Sequence, residues 1–173
     1  TEFKGPNHMR NYGMKRALAG AAIAALAMNA SAAHAASATG TATAKILRQI
    51  TLTKTSDLQY ATIISGATAS TVAVSTAGAA TCGAGLTCTG TTTAGSYNVQ
   101  GTNGAVVLVG GDSSVTLNGS LGGTMSSTLT YSSPNITLGT TGGSFQVGGT
   151  VSVGANQASG DYSGTFNVTA NYQ

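Results

Sequence analysis

The residues able to do chemistry are few and poorly placed for it. Beyond residue 35 the chain holds no His and no Glu, and its carboxylates are Asp57, Asp112 and Asp161, far apart in sequence. Ser and Thr are plentiful, yet a hydroxyl needs an adjacent base before it can act as a nucleophile. Lys45 and Lys54 are the available amines, and neither stands in a recognisable Ser-Lys motif. Glycoside hydrolysis needs two carboxylates flanking one bond, and nothing in the spacing draws Asp112 towards Asp161 or Asp57. No Gly-rich loop ending in Lys is present to hold a phosphate. The pattern argues against an enzyme, and no cofactor is expected.

Cys82 and Cys88 form the remaining reactive pair, spaced C-x5-C in a Gly-rich stretch. A metal site would need further ligands, and His8 and His34 both precede residue 36. In an exported chain an even pair reads as a disulfide. Closing so short a loop gives less entropic stabilisation than bridging distant strands, so a local role is expected.

Export itself is read from the N-terminal fifth. Met14 is followed by basic Lys15 and Arg16, an apolar run from Ala17 to Met28, and Ala33-His34-Ala35, an A-x-A cleavage pattern. The apolar run is too short and Ala-rich to span a bilayer of roughly 30 Å, so no membrane insertion is expected. The expected organisation is leader sequence over 1–13, a signal peptide over 14–35, an N-terminal extension over 36–46 and one domain over 47–173.

The cut at Ala36 changes the charge balance. The whole chain carries a net charge of +3, but Lys4, Arg10, Lys15 and Arg16 fall before the cut with Glu2 opposing them. The chain from Ala36 onward sets Lys45, Arg48 and Lys54 against Asp57, Asp112 and Asp161. No basic patch is left for a nucleic acid.

Strands must position whatever function remains. Thr, Ser, Gly, Ala and Val dominate, while strong helix formers are scarce. Apolar and polar residues alternate from Ala42 to Leu52, Leu47 excepted, and over Leu58–Ile64, Thr71–Ser75, Tyr97–Gln100, Ala105–Val109 and Ser114–Asn118. The series continues through Thr124–Tyr131, Asn135–Leu138, Ser144–Val147 and Thr150–Val153. Turn signals separate these segments, among them Asn103-Gly104, Gly110-Gly111-Asp112, Gly122-Gly123 and Pro134-Asn135. The expected fold is all-β, a sandwich or barrel. No fixed period marks a repeat solenoid.

The last stretch alternates without interruption. Tyr162, Gly164, Phe166, Val168, Ala170 and Tyr172 share one phase, with polar residues on the other, which predicts one long strand buried on one side. Gly160 stands fourteenth from the end and Tyr172 is penultimate. This pair, the alternation and the run Val153 to Thr165 resemble the C-terminal end of archaic-type chaperone–usher pilins and spore coat protein U-like secreted β-domains. The resemblance spans the chain after residue 35 as a pattern and its C-terminal third as recognisable motif.

The resemblance implies an incomplete immunoglobulin-like β-sandwich lacking its last strand. It implies an acceptor edge formed by Gly160, Tyr162, Gly164, Phe166, Val168, Ala170 and Tyr172. A donor strand from a neighbouring subunit would fill the gap after a periplasmic chaperone and an outer-membrane usher had handled the subunit. Head-to-tail repetition of that contact would build an open cell-surface fibre from identical or related subunits. Residues 36–46 would supply the donor, with Ala36, Ala38, Gly40, Ala42, Ala44 and Ile46 on one phase and no Pro to interrupt a ladder. These side chains are smaller than a donor strand normally presents, and the Cys82–Cys88 loop is tighter than a strand-joining disulfide. The rival expectation is a self-complete secreted β-sandwich that binds carbohydrate or another cell-surface component.

Overall fold

In a computed structural model the described residues are 35–173. The expected signal peptide therefore lies, up to its last residue, outside the described residues. Among those described, no helix is present that is long and apolar enough to cross a membrane.

Residues 35–44 carry no regular secondary structure and are exposed throughout. Lys45–Gln173 form a separate compact unit. It is all-β, built of antiparallel sheets curled into a half-barrel. Its strands are β1 (Thr51–Ser56), β2 (Thr62–Ile64), β3 (Ser70–Val74), β4 (Ala80–Cys82), β5 (Thr87–Thr89), β6 (Gly95–Gln100) and β7 (Val106–Gly111). The chain continues with β8 (Ser114–Gly119), β9 (Thr124–Tyr131), β10 (Asn135–Thr137), β11 (Gly143–Val153), β12 (Tyr162–Ser163) and β13 (Val168–Tyr172).

The main sheet runs β1-β6-β11-β9-β8-β12, with β3 and β4 attached to the far half of β11. Alternating side chains explain its two faces. On β6, Tyr97 and Val99 point inward while Asn98 and Gln100 are exposed. On β11, Phe145, Val147, Val151 and Val153 are buried while Ser144 and Ser152 are exposed. Two smaller pieces cover the inner face. The three-stranded sheet β10-β7-β13 lies over a core of Tyr97, Val99, Val107, Val115, Leu129, Leu138, Phe145 and Val147. Within it the Tyr97 and Phe145 rings stack with centroids 5.3 Å apart. The two-stranded ladder β2-β5 brings Ile63 and Cys88 onto a second cluster of Val72, Val151 and Val153, joined by Tyr60 and Leu86.

Four expectations need correcting. The alternation from Ala42 to Leu52 becomes strand only from Thr51, because its partner β6 ends at Gln100, opposite Thr51, and offers nothing earlier to pair with. Leu58–Ile64 is strand only at Thr62–Ile64, since Ala61 adopts a left-handed φ of 62° and Tyr60 turns inward to bond the buried Ser127 hydroxyl. The segments Ser144–Val147 and Thr150–Val153 are one strand, β11, which exchanges β6 for β3 along the same edge. Its Gly148 and Gly149 do not break it. A Cβ at Gly149 would collide with the Tyr60 hydroxyl, so this glycine admits a close approach.

The fourth correction concerns the C-terminal alternation, which is two strands on two sheets. Tyr162 and Ser163 pair with β8, whereas Val168–Tyr172 pair with β7. Between them the backbone passes over β8 so closely that a Cβ at Gly164 would meet the Thr116 carbonyl. Alternation fixes which side chains face inward but is blind to the partner strand, so it survives a change of sheet.

Candidate functional site

β13 ends the sheet β10-β7-β13 and pairs on one side only. Its register with β7 sets Val168 opposite Gly111, Ala170 opposite Val109 and Tyr172 opposite Val107. At the ends of the ladder, Gln173 N donates to Val106 O at 3.1 Å and Asp112 N donates to Asn167 O at 3.0 Å. Antiparallel pairs alternate between bonded and non-bonded. Thr169 and Asn171 therefore spend their backbone groups on β7, Asn167 and Gln173 bond at its two ends, and the N–H and C=O of Val168, Ala170 and Tyr172 point away from it. The side chains of those same three residues, with Phe166, are only half-buried against the main core. Ile50, just before β1, and Leu52, within it, are also partly buried against that core.

The other edges are defended or short. β1 has a register shift between Lys54 and Ser56 and carries the Lys54–Asp57 ion pair at 2.5 Å. A bulge and a lysine are common means of blunting an edge. The hydrogen bond to Asp57 and its charge raise the Lys54 pKa, so the ammonium stays charged. β12 has two residues, and β4, β10, β2 and β5 have three each. Among the described strands β13 is the longest edge with no charge, proline or register shift.

Tyr172 anchors the end of this edge. Its hydroxyl donates to Arg48 O at 2.6 Å and accepts from Thr102 N at 2.7 Å, while Arg48 N donates to Thr102 Oγ1 at 2.7 Å. A Cβ at residue 101 would collide with that hydroxyl, and Gly101 leaves the room. At the other end Asp112 Oδ2 accepts from Asn167 N at 2.7 Å, and Tyr131 donates to Asp112 O at 2.9 Å.

The other residues expected on an acceptor edge fall elsewhere. Tyr162 pairs with β8, and its hydroxyl donates to Ala158 O at 2.7 Å and accepts from Gln157 Nε2 at 2.8 Å. Gly160 sits in an exposed bend at φ +145°. Gly164 lies over β8. The structure thus brings Phe166, Val168, Ala170 and Tyr172 to one edge and leaves Gly160, Tyr162 and Gly164 on the β8 side. Ala36, Ala38, Gly40, Ala42 and Ala44 are exposed and unpaired, and Ile46 is 91% exposed, the most of any large apolar residue in the described part.

Cys82 and Cys88 are bridged, with Cα atoms 6.0 Å apart. The loop between them is as short as the sequence implies, but the bond is not confined to one hairpin. Cys82 belongs to β4, which pairs with β3 of the main sheet, and Cys88 belongs to β5, which pairs with β2. The disulfide ties the small ladder to the main sheet. Neither strand is legible in the sequence, because Gly and Thr around the cysteines carry no alternation.

Chemical groups are dispersed. Asp57 is paired with Lys54, Asp112 accepts from Asn167, and the Asp161 backbone N donates to Ser120 Oγ at 3.0 Å. Among the described residues no group of three His, Cys, Asp or Glu side chains converges to hold a metal ion. Burial raises the pKa of Tyr60, partly offset by its bond to Ser127, and burial likewise raises Tyr97 and Tyr131.

A family model described as a domain of unknown function (DUF4402) matches residues 50–172. The chain belongs to the DUF4402 family. The DUF4402 match begins one residue before β1 and ends on the last residue of β13, so it takes in every strand and leaves residues 36–46 outside. No curated protein and no solved structure matches the chain.

Proposed function

We propose that this DUF4402 protein is the structural subunit of an extracellular fibre, assembled by strand addition between copies. The domain is then an incomplete immunoglobulin-like sandwich, β13 is the acceptor edge, and residues 36–46 of the next copy supply the missing strand. The observation that carries this reading is the undefended edge of β13, where outward-pointing peptide groups coincide with a half-buried apolar face. An edge of that kind is a template for another strand. Each of Val168, Ala170 and Tyr172 offers one N–H and one C=O, and a net gain of about 1 kcal/mol per bond makes the ladder worth several kcal/mol. Small donor side chains bury little area, so the main chain supplies most of the gain. In the cell, the exposed edge calls for a periplasmic chaperone before the partner arrives, and for an outer-membrane usher to deliver the fibre to the surface.

A proline at residue 170 tests the edge directly. The Ala170 N–H points away from β7, so Ala170→Pro removes an outward donor without removing a bond to β7, a placement edge strands tolerate. The expected result is a folded, secreted monomer that no longer forms ladders on an unboiled denaturing gel. Deleting residues 36–44 should have the same effect from the donor side. Full-length ladders from both variants would overturn the reading. A wild-type protein that stays a stable monomer without a chaperone would favour a self-complete β-sandwich that binds carbohydrate or another surface component.

A further inference from the structure

Tyr172 stands at two junctions at once. Its backbone belongs to the outward-facing edge of β13, and its side chain holds Arg48. Arg48 lies two positions beyond Ile46, where the proposed donor segment ends. Its main chain is held on both sides, Arg48 N by Thr102 Oγ1 and Arg48 O by the Tyr172 hydroxyl. Residues 45–50 otherwise carry no regular secondary structure, so these two bonds do what strand pairing does further on.

We propose that Tyr172 is a positioning residue that fixes the base of the donor arm, leaving Leu47 as the only free residue between one domain and the strand it gives to the next. The inference rests on the fibre reading above. Extended chain advances about 3.3 Å per residue, so Ile46 lies no more than about 7 Å from Arg48. With Ile46 seated in a neighbour, the two domains are joined by a span shorter than the roughly 10 Å spacing of packed sheets. No slack is left for a hinge, and the polymer is stiff. Without the Tyr172 bond Arg48 keeps only its contact with Thr102 Oγ1, so Arg48 and Gln49 move with Leu47 as far as Ile50, which stays against the core; a short unpaired segment bends where a single residue does not. Donor and acceptor thus meet at one residue: the backbone of Tyr172 belongs to the edge that receives a strand, and its side chain holds the base of the strand that is given.

The test is the stiffness of fibres measured by electron microscopy on the full secreted protein. Tyr172→Phe keeps the ring against the core and removes only the hydroxyl, so fibres should form with the wild-type axial repeat and a persistence length several-fold lower. Tyr162→Phe, which loses a hydroxyl bonded to the 157–158 loop instead, should leave the persistence length unchanged. A Gly-Ser insertion between Ile46 and Leu47 keeps the clasp but lengthens the link, so it should increase both the repeat and the bending. Tyr172→Phe fibres as stiff as wild type would overturn the inference. If that variant makes no fibre, an insertion that alters neither repeat nor bending would overturn it as well. Absence of fibres from the wild-type protein would overturn the fibre reading instead, which keeps the two failures distinct.

Discussion

The Tyr172 hydroxyl donates to the Arg48 carbonyl at 2.6 Å, closing a separation of 124 residues between the start and the end of the folded unit. With Thr102 N on the same oxygen, it joins the approach to β1, the β6–β7 loop and the last strand. Tyr172 is therefore a structural closure as well as part of an edge.

Removing that hydroxyl should have a measurable cost to the isolated domain. Two backbone groups lose a partner, but both lie near the surface where water can replace it. Tyr172→Phe should lower the unfolding free energy by about 1 kcal/mol in urea. Gly101→Ala should cost more, because the added Cβ meets both the hydroxyl and Leu138. Equal midpoints for the two variants would contradict this ordering.

The core beneath the edge should respond more strongly. Phe145 is fully buried and stacks on Tyr97. Phe145→Ala should destabilise the domain by about 3–5 kcal/mol, the largest single loss among these variants. Circular dichroism of the purified variant checks this.

Reducing the disulfide should loosen one region rather than the whole. The ladder β2-β5 has only three residue pairs and depends on the Cys82–Cys88 bond for its tie to β4. A double Cys82→Ser, Cys88→Ser variant should lose about 2 kcal/mol. Amide exchange should speed up around Ile63 and Leu86 while the β13–β7 ladder keeps its protection. Uniform loss of protection would contradict a local tie.

Alkaline pH should expose the buried tyrosines. Burial raises Tyr60, Tyr97 and Tyr131 above the ordinary value of 10.0. Their neutral forms are favoured by the folded state, so this contribution is complete below about pH 10 and is lost as pH rises through the folded-state values. Stability should fall with pH above about 10, and Tyr60→Phe should flatten part of that fall. Urea midpoints between about pH 9 and 11.5 check the slope.

Much of the fold is legible in the residues themselves. Strands such as Thr124–Tyr131 alternate so regularly that their inward face, including Ser127 and Leu129, follows from sequence alone. Turn glycines mark the β8–β9 hairpin. The same alternation misleads where pairing decides. Residues 42–50 alternate except at Leu47 and Arg48, yet they form no strand, and the stretch from residue 160 to 173 alternates across two sheets.

The sequence by itself determined the β class, the inward-facing residues and the cysteine pair, because each depends on local periodicity or on residue type. Only the tertiary structure decided which strands pair, that β13 is left with an open side, that the disulfide joins two sheets, and that Tyr172 holds Arg48. Those are relations between segments distant in sequence, and a period of two specifies a face without specifying a neighbour.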